Sequence, residues 1–441
     1  MHTSDPIHPH TVQLSIVIKQ PIWRQTGSNL SSWKYSLLNM NSLRNTCFVQ
    51  VVRLISGLTI LKDQNFIIDL TSTDGESVSM KELLALADEE CTNLWDNLRL
   101  GYTECRGMPQ LRAQLAKDYA GMDADNILCF AGAEEGIYCA LKTILHPTDH
   151  AIVFTPCYQS LKSLTQSLCQ ISTMDLTPQD GWALDVNKVR ALVMPGVTKA
   201  IIFNFPHNPT GTLITVEQQQ ELVALAKEFD LWLFCDEVYR GVERSESPSG
   251  APLSLPQIST VYAKGVSLSA VSKTYGLAGL RVGWICCADK AMVSHISDSK
   301  HYLSICNSAP SEVLTLIALR AQDTIVGRIR SLIRTNEAYL AQFMAKYPHL
   351  LSWTPPKGGC TGFMRMHIPD HIDLAEVTER LVQDHGVLIL PGENFPITSP
   401  ENVASIQKHF RVGLGRMAFK AALDAFEVAL PIVLRGMGVE M

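Results

Sequence analysis

The chain has 441 residues, 46% of them hydrophobic and 18% charged, which describes a globular protein of about two domains and excludes a disordered one. A net charge of −6 gives no electrostatic reason to expect nucleic acid or an anionic membrane surface as a partner. Twelve scattered cysteines without a CxxC pair read as reduced, mostly buried thiols of an intracellular, cytoplasmic protein, and no metal is indicated.

Residues 1–68 carry Lys19, Arg24, Lys34, Arg44, Arg53 and Lys62 against few acids, without sustained periodicity. They read as a weakly ordered or inserted N-terminal extension, with neither a signal peptide nor a membrane span. From about 69 onward, short apolar runs alternate with helical patterns. Ala151–Phe154, Ala200–Asn204, Leu231–Cys235 and Val282–Cys287 are strand-length and apolar on both faces, as strands covered by helices should be. Between the second and third, Leu222, Leu225, Ala226 and Phe229 follow helical spacing within Glu217–Asp230. The prediction is an α/β fold with a mostly parallel central sheet flanked by helices, over 69–309. Near 310 the pattern changes to long helices (Ser311–Arg320, Ile325–Tyr347) and then strands around Gly362–Ile368 and Val387–Leu390. That predicts a smaller α+β C-terminal domain over 310–441, with the turn Pro355–Gly359 inside it.

Polar loops follow the predicted strands at the ends where open α/β sheets bind ligands. Asn204-Phe-Pro-His-Asn-Pro-Thr-Gly211 follows one strand, Asp236-Glu-Val-Tyr-Arg240 the next. A third is followed by the small-residue run Ser267-Leu-Ser-Ala-Val-Ser-Lys273-Thr-Tyr-Gly-Leu-Ala-Gly-Leu-Arg281. A lysine in such a turn, with an arginine eight positions on, suits an amine that forms an imine beside a bound phosphate. Burial or a nearby cation favours the neutral, nucleophilic amine. The plainer readings are a helix N-cap for Asp236, a core hydroxyl for Tyr239 and a surface ion pair for Arg411.

These motifs, in this order from Tyr102 to Arg411, resemble the class I/II aminotransferase family of fold-type I pyridoxal-phosphate-dependent enzymes, over about three quarters of the chain. The resemblance implies the aspartate aminotransferase-like fold, with 69–309 as the large cofactor-binding domain, and pyridoxal 5'-phosphate as cofactor. It implies that Lys273 forms the Schiff base and shuttles the α-proton, while Asp236 pairs with the pyridinium nitrogen. Tyr239 and Asn208 would bond the phenolic oxygen, and Tyr158, in Thr155-Pro-Cys-Tyr, would stack on the ring. Arg281, Ser272 and the backbone amides of Ala133 and Glu134 at a helix start would hold the phosphate. Tyr102, in Leu100-Gly-Tyr-Thr-Glu-Cys-Arg-Gly107, would reach the phosphate of a second subunit, making a homodimer with shared sites. Arg411, in Phe410-Arg-Val-Gly-Leu-Gly-Arg416, would grip the substrate α-carboxylate, with Arg416 structural.

The implied reaction moves an amino group from an α-amino acid to a 2-oxo acid. Lyases, cyclases and oxidative deaminases on the same scaffold share Lys273, Asp236 and Arg411. The chain departs from the family pattern in three places. Ala270 stands where a phosphate-binding serine is common, with Ser269 off by one. Glu134 replaces a neutral hydrogen-bonding residue; it either turns away as a helix N-terminal acid, the plainer expectation, or meets a cationic substrate tail. Ser31–Tyr35 and Asp69–Ser77 resemble two pieces of one arm, separated by an insertion over about 37–66. The Lys300–Asn307 segment is expected to line the entrance.

Overall fold

The computed structural model describes residues 68–245, 253–395, 397 and 399–439. The basic residues of the N-terminal extension, the first piece of the arm and the insertion at 37–66 lie outside the described residues.

In chain order the strands are β1 (Ile68–Asp69), β2 (Ile127–Phe130), β3 (His150–Thr155), β4 (Gln170–Asp175), β5 (Thr198–Asn204), β6 (Trp232–Asp236), β7 (Gly265–Ala270) and β8 (Gly283–Cys287). They are followed by β9 (Leu351–Trp353), β10 (Thr361–Met366), β11 (Val387–Leu388), β12 (Leu390–Pro391) and β13 (His409–Gly413). Seven of them form the central sheet, in the order β2-β8-β7-β6-β5-β3-β4. The pairs β3–β4, β3–β5, β5–β6 and β6–β7 are parallel. Alternate side chains of these strands enter two separate cores. Ile152, Phe154, Ile201, Phe203 and Leu233 face one layer, and Ala151, Val153, Ala200, Ile202 and Phe234 face the other. Burial on both faces explains why the strands read as continuous apolar runs.

Strand β8 departs from the parallel expectation, since it runs antiparallel to both β7 and β2. Residues 271–282 join β7 to β8 with a single short 3-10 turn, Ala278–Leu280. A parallel return needs a crossover that usually carries a full helix. The chain instead doubles back as a wide hairpin whose loop holds Lys273 and Arg281.

Helix Val216–Glu228 covers the sheet as its spacing predicts. Thr215 and Gln218 start it with a reciprocal capping box, and it stops short of Asp230, whose φ is +56°. The smaller C-terminal domain centres on the antiparallel sheet β12-β13-β10-β9. Its core joins Phe410, Val412 and Met364 to helices Gln322–Lys346, Leu374–His385 and Phe419–Gly436 through Leu340, Leu381 and Phe426. Strand β1 pairs in parallel with β11, Ile68 beside Val387. The arm at 69–77 therefore leaves from this second core before it crosses to the central sheet.

Candidate active site

The register of the parallel strands brings the polar ends level. Asn204, the last residue of β5, lies opposite Asp236, the last residue of β6. The Asn204 side chain donates to the Asp236 carbonyl at 2.6 Å and accepts the Asn208 N–H at 2.8 Å. It thereby folds the 205–208 loop back over the strand ends. Sequence reasoning passed over Asn204 as a strand terminus.

Asp236 is buried and begins no helix; one carboxylate oxygen accepts the Val238 N–H at 3.1 Å in a local turn. Burial pushes its carboxyl up to about 7, against the lowering effect of that bond and of Lys273; the charges of Glu134 and Glu237 push the same way as burial. Lys273 projects from the β7–β8 loop. Its Nζ donates to Thr73 Oγ1 at 3.1 Å and lies 6.0 Å from the centre of the Tyr239 ring. Burial lowers its pKa, and the charge of Arg411 acts in the same direction while Cys360, Asp74 and Asp236 oppose it. A half-buried amine depressed in this way is the nucleophile that imine chemistry needs. Tyr239 is buried, and desolvation raises its phenol well above the ordinary value.

Helix Ala133–Ile144 starts beside this cluster. Gly132 stands at its N-cap with φ +95°, and no side chain caps the first turn. A Cβ at Gly132 would overlap the Arg281 guanidinium. The guanidinium therefore lies beside the N-cap of this helix, whose first-turn amides no side chain caps, so a positive charge and a helix dipole both stand where an anion could bind.

Glu134 does not turn away. Its carboxylate accepts the Tyr158 hydroxyl at 3.2 Å, and the Tyr158 phenol is pushed up to about 12 by desolvation and by that neighbouring charge. The neighbouring acid, Glu135, takes the structural role instead, accepting Ala131 N–H at 2.7 Å and Ser304 N–H at 3.1 Å. This second bond ties the 300–307 segment to the start of the helix. Within that segment Lys300 is fully buried and donates to the Cys105 carbonyl at 2.5 Å, while Tyr302 is 91% exposed.

Arg411 is buried on β13 rather than lying at the surface. It donates to Asn208 Oδ1 at 2.9 Å and to the Thr71 carbonyl at 3.1 Å, with its guanidinium 5.0 Å from the Phe395 ring centre. The arm lies against it. Gly75 N–H donates to the Lys273 carbonyl at 3.0 Å, Arg416 holds the Asp74 carboxylate at 2.8 and 2.9 Å, and Gly413 N–H donates to the Leu70 carbonyl at 2.7 Å. Any side chain at Gly413 would overlap the Ser72 carbonyl. Cys360 also belongs to the site, with its thiol donating to the Thr73 carbonyl at 2.7 Å and pushed up to about 11 by burial. The sequence signal for Cys360 was its place just after the Pro355–Gly359 turn, which docks by Lys357 and Gly358 N–H on the Gly211 carbonyl.

Tyr102, an expected site residue, and Ser269, the serine one place off the family position, stand apart. Tyr102 is 90% exposed. Ser269 faces a different cavity of about 360 Å³, lined also by Arg240 and Tyr275, so it does not replace the serine absent at 270. Ser272 is half-buried beside Lys273.

The residues present fit pyridoxal phosphate: an anion cradle at Gly132 and Arg281, a depressed lysine, a buried acid titrating near neutrality and an open aromatic face at Tyr158. The fold and this site define a fold-type I pyridoxal-phosphate-dependent enzyme. Residues 72–425 match the family "Aminotransferase class I and II", and the chain belongs to that family. It is 29% identical over 329 residues to capreomycidine synthase of Streptomyces vinaceus, covering 74% of this chain and 82% of that one. It is 26% identical to the arginine–pyruvate transaminase of Pseudomonas aeruginosa, covering 71% and 77%. A crystallised PLP-dependent aminotransferase from Streptococcus suis superposes with a TM-score of 0.75 at 28% identity, over 85% of this chain and 95% of that one. The protein is a pyridoxal-phosphate-dependent aminotransferase that moves an amino group from an α-amino acid to a 2-oxo acid. Among the described residues, no helix is long and apolar enough to cross a membrane.

Proposed function

We propose that Lys273 holds the cofactor through its amine and then carries the proton at the donor's Cα. Bound pyridoxal phosphate supplies the electron sink that lets this proton leave. Asp236 would pair with the ring nitrogen, Tyr239 and Asn208 would serve the phenolic oxygen, and Tyr158 would cover the ring. The Ala133 and Glu134 amides, Ser272 and Arg281 would hold the phosphate. Arg411 takes the α-carboxylate through its planar fork of donors. The observation that carries this reading is the shared arm: Thr73 accepts from Lys273, and the Thr71 carbonyl two residues away accepts from Arg411. One short segment thus fixes the proton-carrying amine against the carboxylate grip.

We further propose a homodimer in which Tyr102 completes the partner's phosphate site. Leu100 and Tyr102 are 84% and 90% exposed. The loop that carries them is tied to the end of the 300–307 segment by Thr103 Oγ1, which donates to the carbonyl of buried Asn307 at 3.1 Å. A cytoplasmic location is supported by the free thiols of all eleven described cysteines.

The likeness to an arginine–pyruvate transaminase makes arginine with pyruvate the first donor–acceptor pair to assay, beside a panel of other amino acids with pyruvate and 2-oxoglutarate. The likeness to capreomycidine synthase favours cyclisation as the second reading. Incubating the holoenzyme with donor alone separates them. Transamination stops at one equivalent of 2-oxo acid per site until an acceptor is added, whereas repeated product formation without acceptor would overturn transamination as the main reaction. Lys273→Ala is expected to abolish turnover; full activity in that variant would overturn the role of Lys273 as proton carrier.

A further inference from the structure

Glu134 is an acid without a structural task. Asp74 and Glu76 are engaged by Arg416, Glu135 braces the loop before its helix and the 304 backbone, and Asp236 accepts from Val238. The ion pairs of the described residues lie elsewhere, such as Arg244 with Glu337 and Arg320 with Asp88, and none includes Glu134. Its position is also costly for the cofactor. A carboxylate in the first turn of Ala133–Ile144 sits at the anion cradle, where a second negative charge repels phosphate. Its side chain is exposed to solvent, yet it bonds Tyr158, and its charge reaches Asp236.

We propose that Glu134 is a specificity-determining residue that selects amino donors with a cationic side chain, a guanidinium or an ammonium. The inference rests on the transaminase reading. The α-carboxylate end of the donor has its own cation in Arg411, so the uncompensated charge in the site is negative and belongs to Glu134. The Tyr158 hydroxyl anchors the carboxylate and leaves it further lone pairs for a planar, two-pronged guanidinium or for an ammonium. A neutral donor leaves the Glu134 charge unanswered, so selection comes from both the pairing gained and the mismatch avoided.

The test compares wild type with Glu134→Gln, both loaded with cofactor, using arginine, lysine and ornithine against leucine with pyruvate as acceptor. The kcat/KM ratio of cationic to neutral donor is expected to fall about tenfold or more in the variant, the size of one charge-assisted hydrogen bond. An unchanged ratio overturns the proposal. A parallel binding measurement needs no turnover: calorimetric titration with 5-guanidinopentanoate and with hexanoate, which lack the α-amino group. Wild type is expected to prefer the guanidino acid and Glu134→Gln to lose that preference; equal preference in both overturns the proposal. If no donor is transaminated, the transaminase reading fails, and the titration still decides the role of Glu134. A Glu134→Gln change confined to cofactor affinity, with the donor preference intact, would place the residue at the phosphate and also overturn it. Glu134→Asp is expected to restore part of the cationic preference.

Discussion

Asp236 gives a pH-dependent stability that can be worked from the structure. Burial raises its carboxyl from 3.8 to about 7 in the folded protein. An acid raised on folding stabilises the native state fully below the unfolded value and loses that contribution as pH rises through the folded one. At pH 5 the folded group is almost fully protonated and the unfolded group almost fully ionised; at pH 8 both are ionised. At about 1.4 kcal/mol per pKa unit, the contribution lost between pH 5 and pH 8 is roughly 3 kcal/mol. Asp236→Asn keeps an oxygen for Val238 N–H and removes the titration. Equilibrium urea unfolding of the cofactor-free protein and its variant at both pH values isolates the effect of this one group. Wild type is expected to lose roughly 3 kcal/mol more than Asp236→Asn as pH rises. A difference below about 1 kcal/mol would refute the reasoning, because Asp236 would then be solvated or firmly paired as an anion.

Gly132→Ala should weaken cofactor binding by about 10- to 100-fold, since its φ of +95° disfavours a side chain and the new methyl displaces Arg281 from the phosphate cradle. Titration of the apoprotein with pyridoxal phosphate reads this, and an affinity within twofold of wild type would contradict the cradle. Gly413→Ala should dislodge the arm at Ser72 and cost the Leu70 and Thr71 contacts together, lowering kcat/KM at least tenfold and opening Gly75 N–H, which donates to the Lys273 carbonyl, to hydrogen exchange. Arg411→Lys keeps the charge but loses the fork between Asn208 and the Thr71 carbonyl, so the donor KM should rise about tenfold, with cofactor binding kept.

Much of the central sheet was legible because burial on both faces leaves an unmistakable apolar run, as in β3, β5 and β6. The site was legible because its polar residues sit at the ends of those strands, in fixed chain order. Direction was less legible. Nothing local in Val282–Cys287 distinguishes a parallel from an antiparallel strand; the shortness of 271–282 does, once it is known to contain no full helix. The pairing of Ile68 with Val387 joins residues too far apart for any local pattern to register. The orientation of Glu134 depends on a hydroxyl at Tyr158, and adjacent acids at a helix start look alike until Glu135 is seen to take the backbone bonds. Cys360 and Thr73 were missed for a related reason: their contacts with the Lys273 neighbourhood are tertiary, and neither residue carries a motif of its own.

The arm contacts span almost the whole described chain: Thr71 meets Arg411 across 340 positions and Asp74 meets Arg416 across 342. A nascent chain emerging from the ribosome can complete the strand ends, the anion cradle and the Lys273 hairpin long before β13 is made. The carboxylate grip is added only at the last stage of synthesis, when the C-terminal segment closes on a stretch made near the beginning. A chain terminated before residue 409 would therefore retain a cofactor-binding surface without a means of seating the amino donor.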